Sequence, residues 1–264
     1  MKKIYRIVFN TEETIINYIE SIGIKVDSNE INAVFYIEEN HEKFQDVQEK
    51  MKNYDFRVTV STKFTKKEKD NAKYLIVKIT WVNGYPMPDD AMEYREETYD
   101  NSLFCLSCGA GLKQNNSFLL KGEPKWGKKD FLKLFWVEDE IFMKKSTYET
   151  ILKPLGINAL PVLHYKTKKV LDTVVQLEIK DKLKIDLEDY TYTKCTSCNQ
   201  IKYRIIENGF FPKILDNPKN SLVARTHEYF GHDALAFNYL IFSHDIYKAI
   251  IENKLKGIDF IPVE

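Results

Sequence analysis

The chain has 264 residues, enough for one large domain or two small ones at about 150 residues per domain. Hydrophobic residues make up 44% and aromatic residues 13%, which excludes a disordered or collagen-like chain. Lysine plus arginine number 39 and aspartate plus glutamate number 39, so no net charge draws the protein toward nucleic acid or an anionic membrane.

The N-terminal segment carries two lysines, but its apolar run stops at Phe9 without a small-residue cleavage site. This pattern does not predict a secretory signal. The longest uncharged apolar stretch, residues 234–243, is shorter than the roughly 20 residues that span a bilayer. These features predict a cytoplasmic protein that does not enter a membrane.

Residues 1–100 alternate between strand patterns and helix patterns. Runs rich in β-branched and aromatic residues predict four strands, at residues 4–9, 33–37, 56–60 and 74–82. Isoleucines on one helical face after Glu13 predict a helix that ends at Gly23, and residues 44–51 predict a second. We therefore predict an α/β sandwich-like module over residues 1–100.

Two short sequences match the capping box. In this motif the first and fourth residues at a helix start each accept, through their side chains, a hydrogen bond from the backbone amide of the other. The two sequences are Asn10–Glu13 and Thr65–Glu68. Each predicts the start of a helix within the first module.

An acidic segment follows the fourth predicted strand. Residues 89–100 contain six acids and one arginine, after two closely spaced prolines. Like charge and proline disfavour a packed element, so we predict a solvated linker and a domain boundary near residue 100. A docking surface for a basic partner is the alternative.

Residues 101–264 contain an internal repeat. The segment 141–162 matches 241–263 through an apolar pair, a tyrosine, a second apolar pair and a glycine followed by apolar residues. Each copy predicts strand, helix, glycine cap and strand. A CxxC motif precedes each copy, so we predict a pseudo-duplicated α+β domain in which each half supplies two thiols.

The two CxxC motifs are the strongest chemical signal in the chain. Cys105 and Cys108 form the first motif, and Cys195 and Cys198 form the second. Two residues between cysteines allow a tight turn that presents both sulfurs to one ion, and two such knuckles complete a closed zinc site. Gly109 and Asn199, which follow the motifs, suit the left-handed backbone of such a turn.

The 86 residues between the pairs exceed the spacing of a local zinc ribbon, but two related halves could bring distant knuckles together. We therefore predict one structural Zn²⁺ shared by Cys105, Cys108, Cys195 and Cys198. Free buried cysteines and redox pairs are the alternatives.

We find no enzyme signature in the chain. His227 and His232 are five residues apart, whereas two zinc-binding histidines on one helical face are four apart, and Gly231 disfavours a helix there. A hidden catalytic site would involve these histidines together with Asp233.

Residues 121–133 combine five lysines with Trp126 and Phe131. Such a mixture can bind single-stranded nucleic acid, although a lysine-rich turn beside a core strand is the commoner explanation.

Several segments of residues 101–264 together match a known pattern: residues 174–179 leading to the second CxxC, residues 239–243, the helix through Ile251, and residues 255–260. Through these segments, residues 101–264 resemble the double-CXXCG motif proteins, a family that includes immunity proteins against bacterial toxins. Asn199 stands where the family has glycine.

The resemblance implies a cytoplasmic immunity protein that binds and neutralises a cognate toxin while zinc holds its fold. Abundant aromatic residues suit a protein-binding surface. The alternative is a zinc-ribbon-like nucleic-acid-binding protein of a mobile element or transcriptional system, which the charge balance does not favour.

Overall fold

A computed structural model describes residues 1–216 and 221–264, which form two units. The first unit contains residues 1–68 and 206–209, and the second contains residues 69–205 and 210–264. The predicted boundary near residue 100 is therefore wrong, because residues 69–100 belong to the second unit. The predicted α+β class is confirmed, since short helices and several sheets make up both units.

The first unit holds four strands and two helices in the order βαββαβ. They are β1 (Lys2–Asn10), α1 (Glu13–Ser21), β2 (Val26–Ser28), β3 (Asn32–Glu38), α2 (Phe44–Met51) and β4 (Phe56–Lys63). The strands form an antiparallel sheet in the order β2-β3-β1-β4. This order is that of the ferredoxin-like split βαβ fold.

One face of this sheet is covered by the two helices. Ile15 and Ile19 of α1 and Val47 and Met51 of α2 are fully buried against Phe35 and its neighbours on the sheet. The helical spacing of these residues is what the sequence pattern predicted, whereas the three-residue β2 gave no pattern.

The second unit contains the remaining elements, and helix α3 (Lys66–Asn71) crosses from one unit to the other. They are β5 (Tyr74–Ile79), α4 (Tyr94–Thr98), β6 (Tyr99–Asp100), β7 (Lys113–Gln114), β8 (Leu119–Leu120), β9 (Phe131–Leu132), β10 (Phe142–Lys144), α5 (Lys145–Thr147), which continues as a π turn (Tyr148–Leu152) and a 3-10 turn (Lys153–Leu155), β11 (Ala159–His164), β12 (Val170–Leu177), β13 (Asp181–Leu183), β14 (Tyr192–Lys194), β15 (Ile201–Tyr203), β16 (Val223–Thr226), β17 (Tyr229–Phe230), β18 (Leu240–Ser243), α6 (His244–Glu252) and β19 (Ile258–Pro262). Among the described residues, no helix is both long and apolar enough to cross a membrane.

The predicted repeat is visible in two five-stranded sheets of the second unit. The first sheet has the order β8-β11-β12-β10-β9, and the second has the order β13-β16-β18-β5-β19. In each copy a strand, a helical segment and a second strand follow one another, and Gly156 and Gly257 adopt left-handed backbone after the helix. The predicted order of strand, helix, glycine and strand is confirmed. Gly156 caps the first helical segment as predicted, but Gly257 does not cap α6, whose C-terminal cap is Asn253.

Each sheet takes one interior strand from the other repeat. β5 precedes the first CxxC motif but lies between β18 and β19, antiparallel to both. β12 precedes the second CxxC motif but lies between β10 and β11, also antiparallel to both. The repeat unit is therefore larger than predicted: a strand, a CxxC motif, a strand, a helix and a last strand. The two repeats exchange their first strands.

A single apolar core joins the two repeats. It contains Leu75 of β5 and Phe242 of β18 from one sheet, and Met143 and Val175 from the other, all buried together with Ile246 of α6. Alternating residues of the first sheet, such as Phe142 and Val174, face a second cluster on its opposite side. The first sheet is thus covered on both faces.

The acidic segment is packed and is not the predicted linker. Within residues 89–100, Tyr94 and Thr98 of α4 are almost completely buried, and the Tyr94 hydroxyl donates to the carbonyl of Trp136 at 3.1 Å. The acids of the segment are exposed. The charge pattern therefore described only the outer face of a short helix.

Candidate metal centre

The two CxxC motifs lie in loops of two short hairpins within the second unit. The first knuckle, residues 105–108, follows β6 and precedes β7, and the second knuckle, residues 195–198, connects β14 with β15. Both strand pairs are antiparallel. The hairpins bring together all four cysteines that the sequence predicted as ligands.

The two knuckles have the same backbone geometry. The amide of Gly109 donates to the carbonyl of Cys105 at 2.7 Å, and the amide of Asn199 donates to the carbonyl of Cys195 at 2.9 Å. The φ angle is +79° at Gly109 and +63° at Asn199. The predicted left-handed residue after each motif is confirmed, with glycine and asparagine as the two residue types that tolerate it best.

The sulfur atoms lie at the separations of a tetrahedral metal site. Cys105 Sγ is 3.8 Å from Cys195 Sγ, and Cys108 Sγ is 3.6 Å from Cys198 Sγ. All four sulfurs lie within 4.8 Å of one another, and all four cysteines are free. A tetrahedron with metal–sulfur bonds of about 2.3 Å has edges of about 3.8 Å, so the donor set fits one such ion.

Backbone amides prepare part of this site for negative charge. The amides of Cys198 and Ser197 lower the pKa of the Cys195 thiol to about 6, and the amide of Cys108 lowers the pKa of Cys105. Burial instead raises the pKa of Cys108 to about 12. A divalent cation bound between the sulfurs would supply the positive charge that lets all four be thiolates.

A local two-fold relation links the knuckles. Ser107 Oγ lies 2.9 Å from Ser197 Oγ, and the sulfur contacts of 3.8 and 3.6 Å also join residues 90 positions apart. Equivalent residues that contact each other define an isologous arrangement, as in a two-fold dimer. The centre therefore lies where the two repeats meet.

A buried lysine ties the second hairpin to the first knuckle. Lys202 of β15 is 5% exposed, and its Nζ donates to the carbonyls of Cys108 at 2.8 Å, Asp233 at 2.5 Å and Leu235 at 3.0 Å. Three carbonyls use all three donors of an ammonium group. Lys202 thus fixes the backbone that carries one ligand without being a ligand itself.

The two histidines that the sequence analysis singled out lie in a segment next to the cysteine site. His227 and His232 are exposed, neither lies in a helix, and His232 Nδ1 contacts Asp233 Oδ2 at 3.2 Å. The loop that follows approaches the first knuckle so closely that a Cβ on Gly109 would lie 2.1 Å from the carbonyl oxygen of Ala234. Within residues 1–216 and 221–264, the four cysteines are the only group of three or more His, Cys, Asp or Glu side chains close enough together to hold a metal ion.

The basic stretch 121–133 does not offer its aromatic rings for stacking on bases. Trp126 is 7% exposed and its indole nitrogen donates to Thr173 Oγ1 at 3.2 Å, while Phe131 is fully buried in β9. The stretch is thus a lysine-rich turn beside a core strand.

Sequence reasoning missed the polar residues that act over long sequence separations. Lys202 lies in a strand where polar and apolar residues alternate, as in an ordinary exposed hairpin. The neighbouring residues in the sequence do not indicate that its side chain is buried. Asp139, Glu140 and Arg225, which form a buried ionic group, also lack a local signal.

Comparison with models of known protein families gave no match, and comparison with curated proteins gave none either. The resemblance to the double-CXXCG proteins stays a prediction that rests on the residues named for it above.

Proposed function

We propose that the chain is an immunity protein that binds and neutralises a bacterial toxin, and that one structural zinc ion holds the two repeats of its second unit together. The observation that carries the metal is the set of four free cysteine sulfurs within 4.8 Å of one another. Four thiolates leave no open position for water, so such an ion supports structure rather than catalysis.

The toxin-binding role rests on the resemblance of residues 101–264 to double-CXXCG proteins. A second observation supports a protein partner: large apolar side chains around both knuckles are exposed to solvent. Leu103 is 81% and Leu106 82% exposed near the first knuckle, and Tyr192 is 56% exposed beside the second. Exposed apolar and aromatic residues are typical anchors of protein interfaces. We place the toxin-binding surface around the knuckles.

Native mass spectrometry of the intact chain tests the metal. We expect one zinc per chain, lost in Cys108→Ser but kept in Ser28→Ala, a conservative change at an exposed position of the first unit. Because metal binding is coupled to folding, Cys108→Ser should also lower the melting temperature of the second unit far more than that of the first. Unchanged metal content in Cys108→Ser would refute the shared site.

A growth-protection assay tests the partner. DNA fragments of the source organism are first screened for those that arrest bacterial growth when expressed. Among these, we look for fragments that no longer arrest growth when this chain is co-expressed. Co-expression of an interrupted reading frame of the chain is the control. Leu106→Glu should abolish protection while zinc content stays at one, whereas Ile31→Glu, an equivalent change in the first unit, should protect fully. If no toxin is found and the chain instead binds nucleic acid with an affinity that falls steeply as salt increases, the nucleic-acid-binding alternative replaces this proposal.

A further inference from the structure

A cavity of about 570 Å³ lies in the second unit, beside the backbone of Gly109, which directly follows the first knuckle. Its polar and largely buried lining includes four side chains that we call the floor: Asp139, Glu140, Gln176 and Arg225. The volume lies in the range of small-molecule sites, which combine a concave shape with a few fixed polar groups.

Glu140 in the floor is fully partnered. Arg225 Nη2 donates to Glu140 Oε1 at 3.0 Å, and Gln176 Nε2 donates to Glu140 Oε2 at 2.9 Å. Glu140 is 4% exposed. The Glu140 carboxylate and the Arg225 guanidinium therefore form a buried ion pair whose charges compensate each other.

Asp139 in contrast keeps unused acceptor capacity. Its Oδ2 lies 3.8 Å from Arg225 Nη1 and accepts a long hydrogen bond of 3.4 Å from the amide of Asn238. No side chain in the described part of the sequence donates a hydrogen bond to Asp139, although a carboxylate can accept about four. The hydroxyl of Tyr99, which also lines the cavity, has no hydrogen-bond partner within the same residues.

The floor carries an excess negative charge when its groups are ionised, because two carboxylates face one guanidinium. Burying an uncompensated charge is costly. In agreement, burial raises the pKa of both Asp139 and Glu140. A ligand cation beside Asp139 would compensate the excess negative charge of the floor.

The rim of the cavity has the opposite charge. Lys113, Lys180 and Lys182 line it and are exposed, and Glu178 pairs with Lys180 at 2.8 Å. The rim is therefore positive and the floor negative. A ligand that places a cation at the floor would have its anionic group near the rim.

We propose that this cavity binds a small zwitterion whose amine or guanidine head contacts Asp139 and Tyr99 and whose carboxylate faces the rim lysines. The site is separate from the cysteine centre and from the exposed residues around the knuckles, and it does not depend on the proposed immunity role.

A metal ion does not suit the floor. Calcium takes six to eight oxygen ligands and magnesium a near-octahedral set, whereas Arg225 already lies at 3.0 Å from one carboxylate and 3.8 Å from the other. An organic cation needs only one carboxylate face and one or two further acceptors, which Asp139 and Tyr99 provide.

Isothermal titration of the full chain with three matched probes tests the proposal. L-Arginine carries both charges, agmatine lacks the carboxylate, and citrulline has a neutral head of nearly the same shape. We expect arginine to bind most tightly, agmatine at least about threefold more weakly, and citrulline at least about tenfold more weakly. No binding of arginine or agmatine at millimolar concentration, or citrulline binding as tightly as arginine, would overturn the proposal.

Two substitutions locate the ligand. Asp139→Asn should weaken arginine binding at least about tenfold, yet the variant should fold at least as stably as the parent chain, because it removes the unpaired charge and leaves the Arg225–Glu140 pair. Lys182→Met should weaken binding of arginine but not of agmatine. Asp55→Asn, an exposed acid of the first unit, is the charge-matched control.

Unchanged arginine binding in Asp139→Asn would place the ligand elsewhere and refute the site. Zinc content and growth protection are measured in separate experiments. A failure of the ligand proposal therefore does not affect the proposals for the metal and for the toxin partner.

Discussion

Gly109 meets two requirements that no other residue type meets together. Its φ angle is +79°, and a Cβ there would lie 2.1 Å from the carbonyl oxygen of Ala234. Gly156 has a similar φ of +84°, but a Cβ added there would meet no atom within 4 Å, so this position isolates the cost of backbone strain.

We expect Gly109→Ala to destabilise the second unit by about 4 kcal/mol or more, and Gly156→Ala by only about 1–2 kcal/mol, since the first change adds a clash to the strain. Denaturant unfolding measures both losses, and zinc content should fall only in Gly109→Ala. Equal losses in the two variants would mean that the loop at Ala234 moves away without cost.

At the residue scale, the sequence predicted groups whose partners are close in the chain. The CxxC spacing identified all four cysteines, and the preference of glycine and asparagine for left-handed backbone identified Gly109 and Asn199. Lys202 and the ionic group of Asp139 were not predictable, because their partners lie tens of residues away and come together only through tertiary packing.

At the element scale, helix and strand patterns were reliable where one face is buried, and capping sequences were not. Thr65 and Glu68 form the reciprocal capping bonds, with the Thr65 amide 2.7 Å from Glu68 Oε2 and the Glu68 amide 3.2 Å from Thr65 Oγ1. Asn10 does not cap α1, which begins after Glu12 without a side-chain cap. Only one of the two four-residue matches therefore marks the start of its helix.

Two neighbouring residues of the acidic segment distinguish the contribution of core packing to stability from that of surface charge. Tyr94→Ala should cost about 3–5 kcal/mol, because it removes a side chain that is 2% exposed and its hydrogen bond to Trp136. The neighbouring exposed Glu93→Lys should change stability by no more than about 0.5 kcal/mol. Thermal denaturation distinguishes the two, and a tolerated Tyr94→Ala would restore the linker interpretation.

At the scale of the whole molecule, the repeat was predictable but the exchange of strands was not. Local similarity revealed the two copies, whereas the pairing of β5 with β18 and β19 joins segments at opposite ends of the second unit. Periodicity carries no information about such a partner. This is the physical reason why the predicted boundary was placed about 30 residues too late, after β5 instead of before it.

Fragments test the corrected boundary. Residues 69–264 should fold cooperatively and retain one zinc, because they include β5, which lies between β18 and β19. Residues 101–264 should do neither, since β18 and β19 would then have no strand between them. Circular dichroism melting and metal analysis of the two fragments provide the comparison, and equal stability would show that β5 is dispensable.

The exchanged strands also determine the order in which the protein can fold during synthesis. The strands of the first unit all lie within residues 2–63 and can pair early, but β5 must wait for residues 240–262. At typical ribosomal speeds this delay is about 10–30 s. The thiol pair of the first repeat has no counterpart until residues 195–198 have been made, so tight metal uptake follows translation of the second CxxC motif.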